Sequence, residues 1–90
     1  MPTIVVRHKV GNIEAWLKGH AERVEIFAPA VSSFKTFQDT DDPNSVVLVV
    51  EVTDMEKLGA IMNDQDIMQH VAREKHTVIE PIIMSMPVDL

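Results

Sequence analysis

Four histidines and a single tryptophan are the side chains with which this sequence could do chemistry. Histidine comes first, because its ordinary pKa lets it take up and release a proton near neutral pH. His8 falls on one face of the alternating segment from Thr3 to Val10, a face otherwise made of Ile4, Val6 and Val10. His20 falls on the apolar stripe of a helical pattern, one turn after Trp16. Both imidazoles could point into the same space between helix and sheet. There His8 or His20 could act as a general base, ligate a metal or a haem iron, or be a core histidine bonded to a carbonyl. His70 and His76 do not share a helix face at their spacing and read as surface residues. No set of ligands stands at helical or hairpin spacing, so no metal site is expected.

Trp16 has two readings. Its place on the stripe suits core packing, and its indole would also make a flat wall for an aromatic ligand. Other chemistries lack their residues. Cysteine is absent, and Ser32, Ser33, Ser45 and Ser85 sit in no nucleophile-elbow context. Gly11, Gly19 and Gly59 are too scattered for a phosphate-cradling loop, and no redox-cofactor fingerprint is present. No cofactor is therefore expected. Asp39, Asp41 and Asp42 lack the alternation of oxygen ligands that a calcium loop needs and read as turn residues.

These side chains must be positioned by a chain of 90 residues, enough for one domain spanning 1–90 and too few for two. Its net charge of −6 repels phosphate backbones and anionic headgroups, so neither nucleic acid nor membrane is an expected partner. The longest apolar run, Val46 to Val50, is far shorter than a membrane helix requires, and no signal-peptide pattern is visible. A small cysteine-free domain suits a reducing interior, so a cytoplasmic location is expected.

Alternation predicts strands over 3–10, 33–39, 46–53 and 77–86. Helical spacing predicts a helix over 13–28, capped by Asn12 and stopped by Pro29. A second helical region over about 55–75 is capped by Asp54, broken near Asn63–Asp66 and recapped by Asp66. Pro81 cannot donate to a ladder, so the last strand should be an edge or carry a bulge. The order is βαββαβ. Right-handed crossovers put both helices on one face of the sheet. Yet the third strand is apolar on both sides, through Val46, Leu48, Val50 and Val52 on one and Val47 and Val49 on the other. The uncovered face then needs a second copy of the chain, sheet against sheet, in a homodimer.

The opening strand ending His8-Lys9-Val10, its short turn and the helix carrying Trp16 resemble the start of the antibiotic biosynthesis monooxygenase-like superfamily. Asp41-Asp42-Pro43-Asn44 and the strand Val46 to Thr53 leading into Asp54 are similar to its turn, third strand and helix start. Pro81 also matches a proline common in that group, while Lys75-His76-Thr77 stands where many close relatives carry Ala-Gly-Val. The resemblance implies an α+β, ferredoxin-like protomer with an antiparallel four-stranded sheet, paired into a dimeric α+β barrel. It also implies a pocket between sheet and helices for a small, apolar or aromatic molecule. Strands one and three would be neighbours, which brings Arg7, Lys9 and Glu51 onto the face covered by the partner. An Arg7–Glu51 ion pair, within or across subunits, is expected there, with Arg7 as a possible partner for an anionic substrate group.

The expected function is binding of a small apolar or aromatic molecule, with cofactor-independent oxygenation or isomerisation if the protein is an enzyme. His20 or His8 would be the base, Trp16 the platform, and Arg7 with Glu51 the polar contacts. The competing expectation is a non-catalytic ligand carrier or assembly module in which the histidines are structural.

Overall fold

Alternating apolar residues make Thr3–Val10 the first strand, β1, of the computed structural model, which describes residues 2–88. The Asn12 side chain then accepts a hydrogen bond from the Ala15 amide at 3.1 Å and starts α1, Ile13–Lys18. The helix expected over 13–28 is interrupted at Gly19 and resumes as α2, His20–Phe27. The break lies where another side chain comes too close for a Cβ. One built on Gly19 would sit 2.4 Å from the imidazole of His76.

β2, Val31–Gln38, leads into an acidic turn and β3, Ser45–Val52. The turn acids bond their own backbone: Asp39 Oδ1 accepts from the amides of Asp41 and Asp42, and Asp42 Oδ1 from that of Asn44. Asp54 caps α3, Met55–Met62, through the Lys57 amide at 3.0 Å. The next helix, α4, spans Asp66–Lys75 and is capped by Asp64, whose Oδ1 accepts from the amides of Asp66 and Ile67. The expected cap, Asp66, is instead its first residue. α4 is wound in the wide π form, and its last bond runs from the His76 amide to the Val71 carbonyl at 2.8 Å. β4, Val78–Ser85, completes the four-stranded sheet.

The four strands are antiparallel in the order β2-β3-β1-β4, the ferredoxin-like arrangement expected. Pro81 lies on an edge strand and also in a bulge. Arg7 pairs with Ile83 but Lys9 pairs with Ile79, so β4 carries extra residues between the two. One sheet face packs under the helices, where Ile4, Val10, Val46, Leu48, Val50 and Val52 are buried with Trp16 and Leu58. On the other face Val5, Val47 and Val49 are half-buried, while Phe37, Ile79 and Ile83 are 50%, 49% and 41% exposed. The two-sided apolar character of β3 is therefore real, and among the described residues no element covers its second side. Among the described residues no helix is long and apolar enough to cross a membrane.

Candidate functional site

The helices do not close completely on the sheet. Between them lies a cavity of about 70 Å³. Val6, Leu48 and Val50 form its sheet wall, and Ile26, Phe27 and Val71 its helical wall. Met62, Met68 and Met84 line it as well, and their unbranched thioethers can repack around what enters. Three polar side chains reach this apolar space: His8, Arg23 and His76.

His8 is carried there by the pleat of β1 and is 6% exposed. Its Nδ1 lies 3.1 Å from the Lys9 carbonyl, which can only accept, so Nδ1 carries the proton. Nε2 has no hydrogen-bond partner among the described residues and is left as an acceptor. Burial holds the pKa of His8 below its ordinary value, the Lys9 carbonyl opposes this, and the nearby Arg23 charge adds to it. The imidazole is thus neutral at neutral pH, with its basic nitrogen unengaged. Trp16 packs edge-on behind it, with ring centroids 5.9 Å apart.

Arg23 and His76 form a second, polar wall. The guanidinium stacks 4.0 Å from the Trp16 ring centre and donates to the Trp16 carbonyl at 2.9 Å. It also donates to His76 Nδ1 at 3.2 Å, so that nitrogen is unprotonated and Nε2–H donates to Glu22 Oε1 at 2.9 Å. Lys75 holds the other Glu22 oxygen at 2.8 Å and, foremost among the causes, keeps that carboxyl below its ordinary pKa. Burial, then the Arg23 charge, keeps His76 below its ordinary pKa, against the pull of Glu22. Burial alone brings Arg23 down to about 10, still fully charged at neutral pH. Thr77, next to His76, is locked at φ 57°, a left-handed conformation unusual for a β-branched residue. Its hydroxyl donates to the Asn12 carbonyl and accepts from the Asn12 amide, and its carbonyl accepts from Gly11. These bonds fix the backbone that presents His76.

The structure brings only part of the expected set together. His8 and Trp16 meet, but Trp16 is fully buried in the core and does not line the cavity. His20 does not converge with His8: it is exposed, 3.5 Å from Thr36 Oγ1 and edge-on to Phe34 at 6.1 Å. The break at Gly19 means that the stripe drawn through one continuous helix does not place it. Arg7 and Glu51 lie on the open sheet face, away from the cavity. Register separates them, since Arg7 pairs with Val47 and Glu51 with Thr3, whose hydroxyl donates to Glu51 at 2.6 Å. The expected Arg7–Glu51 pair is therefore not formed within the subunit.

His70 is exposed, as expected, beside Glu74. His76, expected at the surface, is instead 2% exposed, because the end of α4 turns it inward against Gly19. Arg23 was not among the sequence candidates. Periodicity did not single it out, since a charged residue beyond the break at Gly19 reads as exposed. Among the described residues no group of three or more His, Cys, Asp or Glu is arranged to hold a metal ion.

No protein-family model matches the chain, and no curated protein matches it in sequence. Solved structures do match it in shape. One is described as an antibiotic biosynthesis monooxygenase, at TM-score 0.72 and 17% identity, with 100% of this chain and 99% of that one covered. A cofactor-independent oxygenase from Streptomyces nogalater superposes at 0.71 with 16% identity, covering 99% and 94% of the two chains. A protein from Agrobacterium tumefaciens superposes at 0.70 with 17% identity, covering 100% and 94%. Along its whole length, then, this chain has the α+β, ferredoxin-like fold of the antibiotic biosynthesis monooxygenase structures.

Proposed function

We propose that the protein is a homodimer that binds a small apolar or aromatic molecule between helices and sheet, and that His8 moves a proton on that molecule without a cofactor. The observation that carries this reading is the unengaged, unprotonated Nε2 of a buried, neutral histidine at an apolar cavity. Such a nitrogen can take a proton from an acidic C–H or a phenol, and Arg23 lies close enough to favour the anion left behind. Returning the proton to a different carbon is an isomerisation. Reaction of the anion with dioxygen is an oxygenation, the activity named for the Streptomyces nogalater neighbour. The apolar open face of the sheet supports the homodimer, because a patch of this kind on a small soluble chain calls for cover. A cysteine-free chain fits the cytoplasm.

The cavity is smaller than the roughly 300–1,000 Å³ typical of ligand pockets, and this favours a second reading, a non-catalytic carrier of a small ligand. Titration with phenol and methylphenols separates the two. In the first reading, absorbance shows bound phenol ionising at lower pH than free phenol, and His8→Gln abolishes the effect while binding persists. An unchanged absorbance profile in His8→Gln removes His8 as the base. The same His20→Gln experiment tests the exposed histidine and is expected to change nothing.

A further inference from the structure

A guanidinium buried at an apolar cavity without a carboxylate beside it is a charge in search of a counter-ion. Arg23 is 5% exposed. Guanidinium has five N–H donors, and Arg23 commits one to His76 Nδ1 and one to the Trp16 carbonyl. Its Nε–H is buried and unpartnered. Both acceptors that it does have are neutral. Among the described residues no carboxylate forms an ion pair with it; Glu22, the nearest in the network, is held by Lys75 and His76. The Trp16 ring offers only its π face to the cation, a weak substitute for an anion. An unpaired buried charge is costly, and a forked donor with free N–H groups is well suited to two oxygens or to one strongly charged one.

From this we infer that the cavity ligand carries an anionic oxygen, a carboxylate or an enolate-type oxygen on a small apolar body, and that Arg23 is its counter-ion. The inference rests on the ligand-binding reading of the cavity and adds the charge of the ligand to it. His76 is a positioning residue. Its unprotonated Nδ1 holds one arm of the fork, and Glu22 fixes that tautomer from behind. Val6, Leu48 and Val50 meet the apolar body, and His8 stands on the strand side of the same space. The division of labour separates recognition, at Arg23, from proton transfer, at His8.

The test compares probes that match in shape and differ in charge: benzoate against benzamide, and propionate against propionamide, by calorimetry on the full chain. The carboxylates are expected to bind roughly tenfold more tightly or better than the amides. Arg23→Met should erase that preference while leaving amide affinity in place, and Arg23→Lys should keep part of it. Equal affinity for acid and amide in the unmodified protein overturns the inference and leaves the cavity reading standing. So does a carboxylate preference that survives Arg23→Met. If no probe of either kind binds, the cavity reading falls and this inference falls with it. Should Arg23→Met fail to fold, the acid–amide comparison in the unmodified protein still decides.

Discussion

The two faces of the sheet are built from the same four strands and have opposite requirements. Under the helices, Ile4, Val46, Leu48 and Val50 are almost fully buried, and the polar side chains His8, Arg23 and His76 among them reach the cavity. On the open face, Val5, Val47 and Val49 are half-buried beside Phe37, Ile83, Arg7 and Lys35, and the part-buried Thr3–Glu51 hydrogen bond lies there too. The covered face thus depends on shape and on specific partners. The open face offers area, which any well-matched apolar surface can use. A change on the first should cost stability, and a change on the second should cost association.

The sharpest test of that contrast places one charge on each side of β3. Leu48→Asp buries an unpaired carboxylate under the helices and should prevent folding, at a cost of about 4 kcal/mol or more, seen as loss of a cooperative urea transition. Val47→Asp, one residue earlier and facing away, should leave circular dichroism unchanged. It should convert a sedimenting dimer to monomer at micromolar concentration. A monomeric unmodified protein would break the contrast, since the open face would then need no partner.

A smaller effect is expected within the helical layer. Gly19→Ala drives a methyl into the His76 ring and should destabilise by roughly 1–3 kcal/mol. His76→Ala in the same chain should relieve much of that loss, a coupling that a double-mutant cycle measures. Gly59→Ala has nothing within 4 Å of the new methyl and lies inside α3. It should stabilise by roughly 0.5–1 kcal/mol. If both glycines respond alike, the close approach of His76 is not what keeps position 19 bare.

The smallest effect is that of pH. Burial holds His8 and His76 below the ordinary histidine value of 6.5, so on acidification the unfolded chain takes up protons before the native one does. Their contribution is complete above that value and is lost as pH falls through their native pKa values. The urea midpoint should therefore drop between about pH 7.5 and about pH 5.5, and less steeply in His76→Gln. A midpoint that rises on acidification would contradict the neutral, buried state assigned to both rings.

Much of the fold was legible along the chain because its signals are local. Alternation marked the strands, Asn12 and Asp54 marked the helix starts, and Pro81 marked an edge or a bulge, of which the strand has both. The two-sided strand was legible for the same reason, since a period of two assigns each side chain to a face. The site was only partly so. His8 could be assigned from the pleat of β1, but His20 could not, because the interruption at Gly19 changes where the later helix points its residues. His76 carried no apolar periodicity to reveal it, and its burial follows from the wide winding at the end of α4 and the clamp at Thr77.

The sequence by itself determined the order of elements, which faces are apolar and that one face lacks cover, all properties of neighbouring residues and of backbone geometry. Only the tertiary structure decided that Arg23, His76 and Trp16 share one buried corner, that His8 looks into the same space and that Arg7 misses Glu51. Those outcomes depend on strand register and on the packing of segments more than fifty residues apart, as Arg23 and His76 are. No local pattern encodes the meeting of such residues; it is fixed when the core closes.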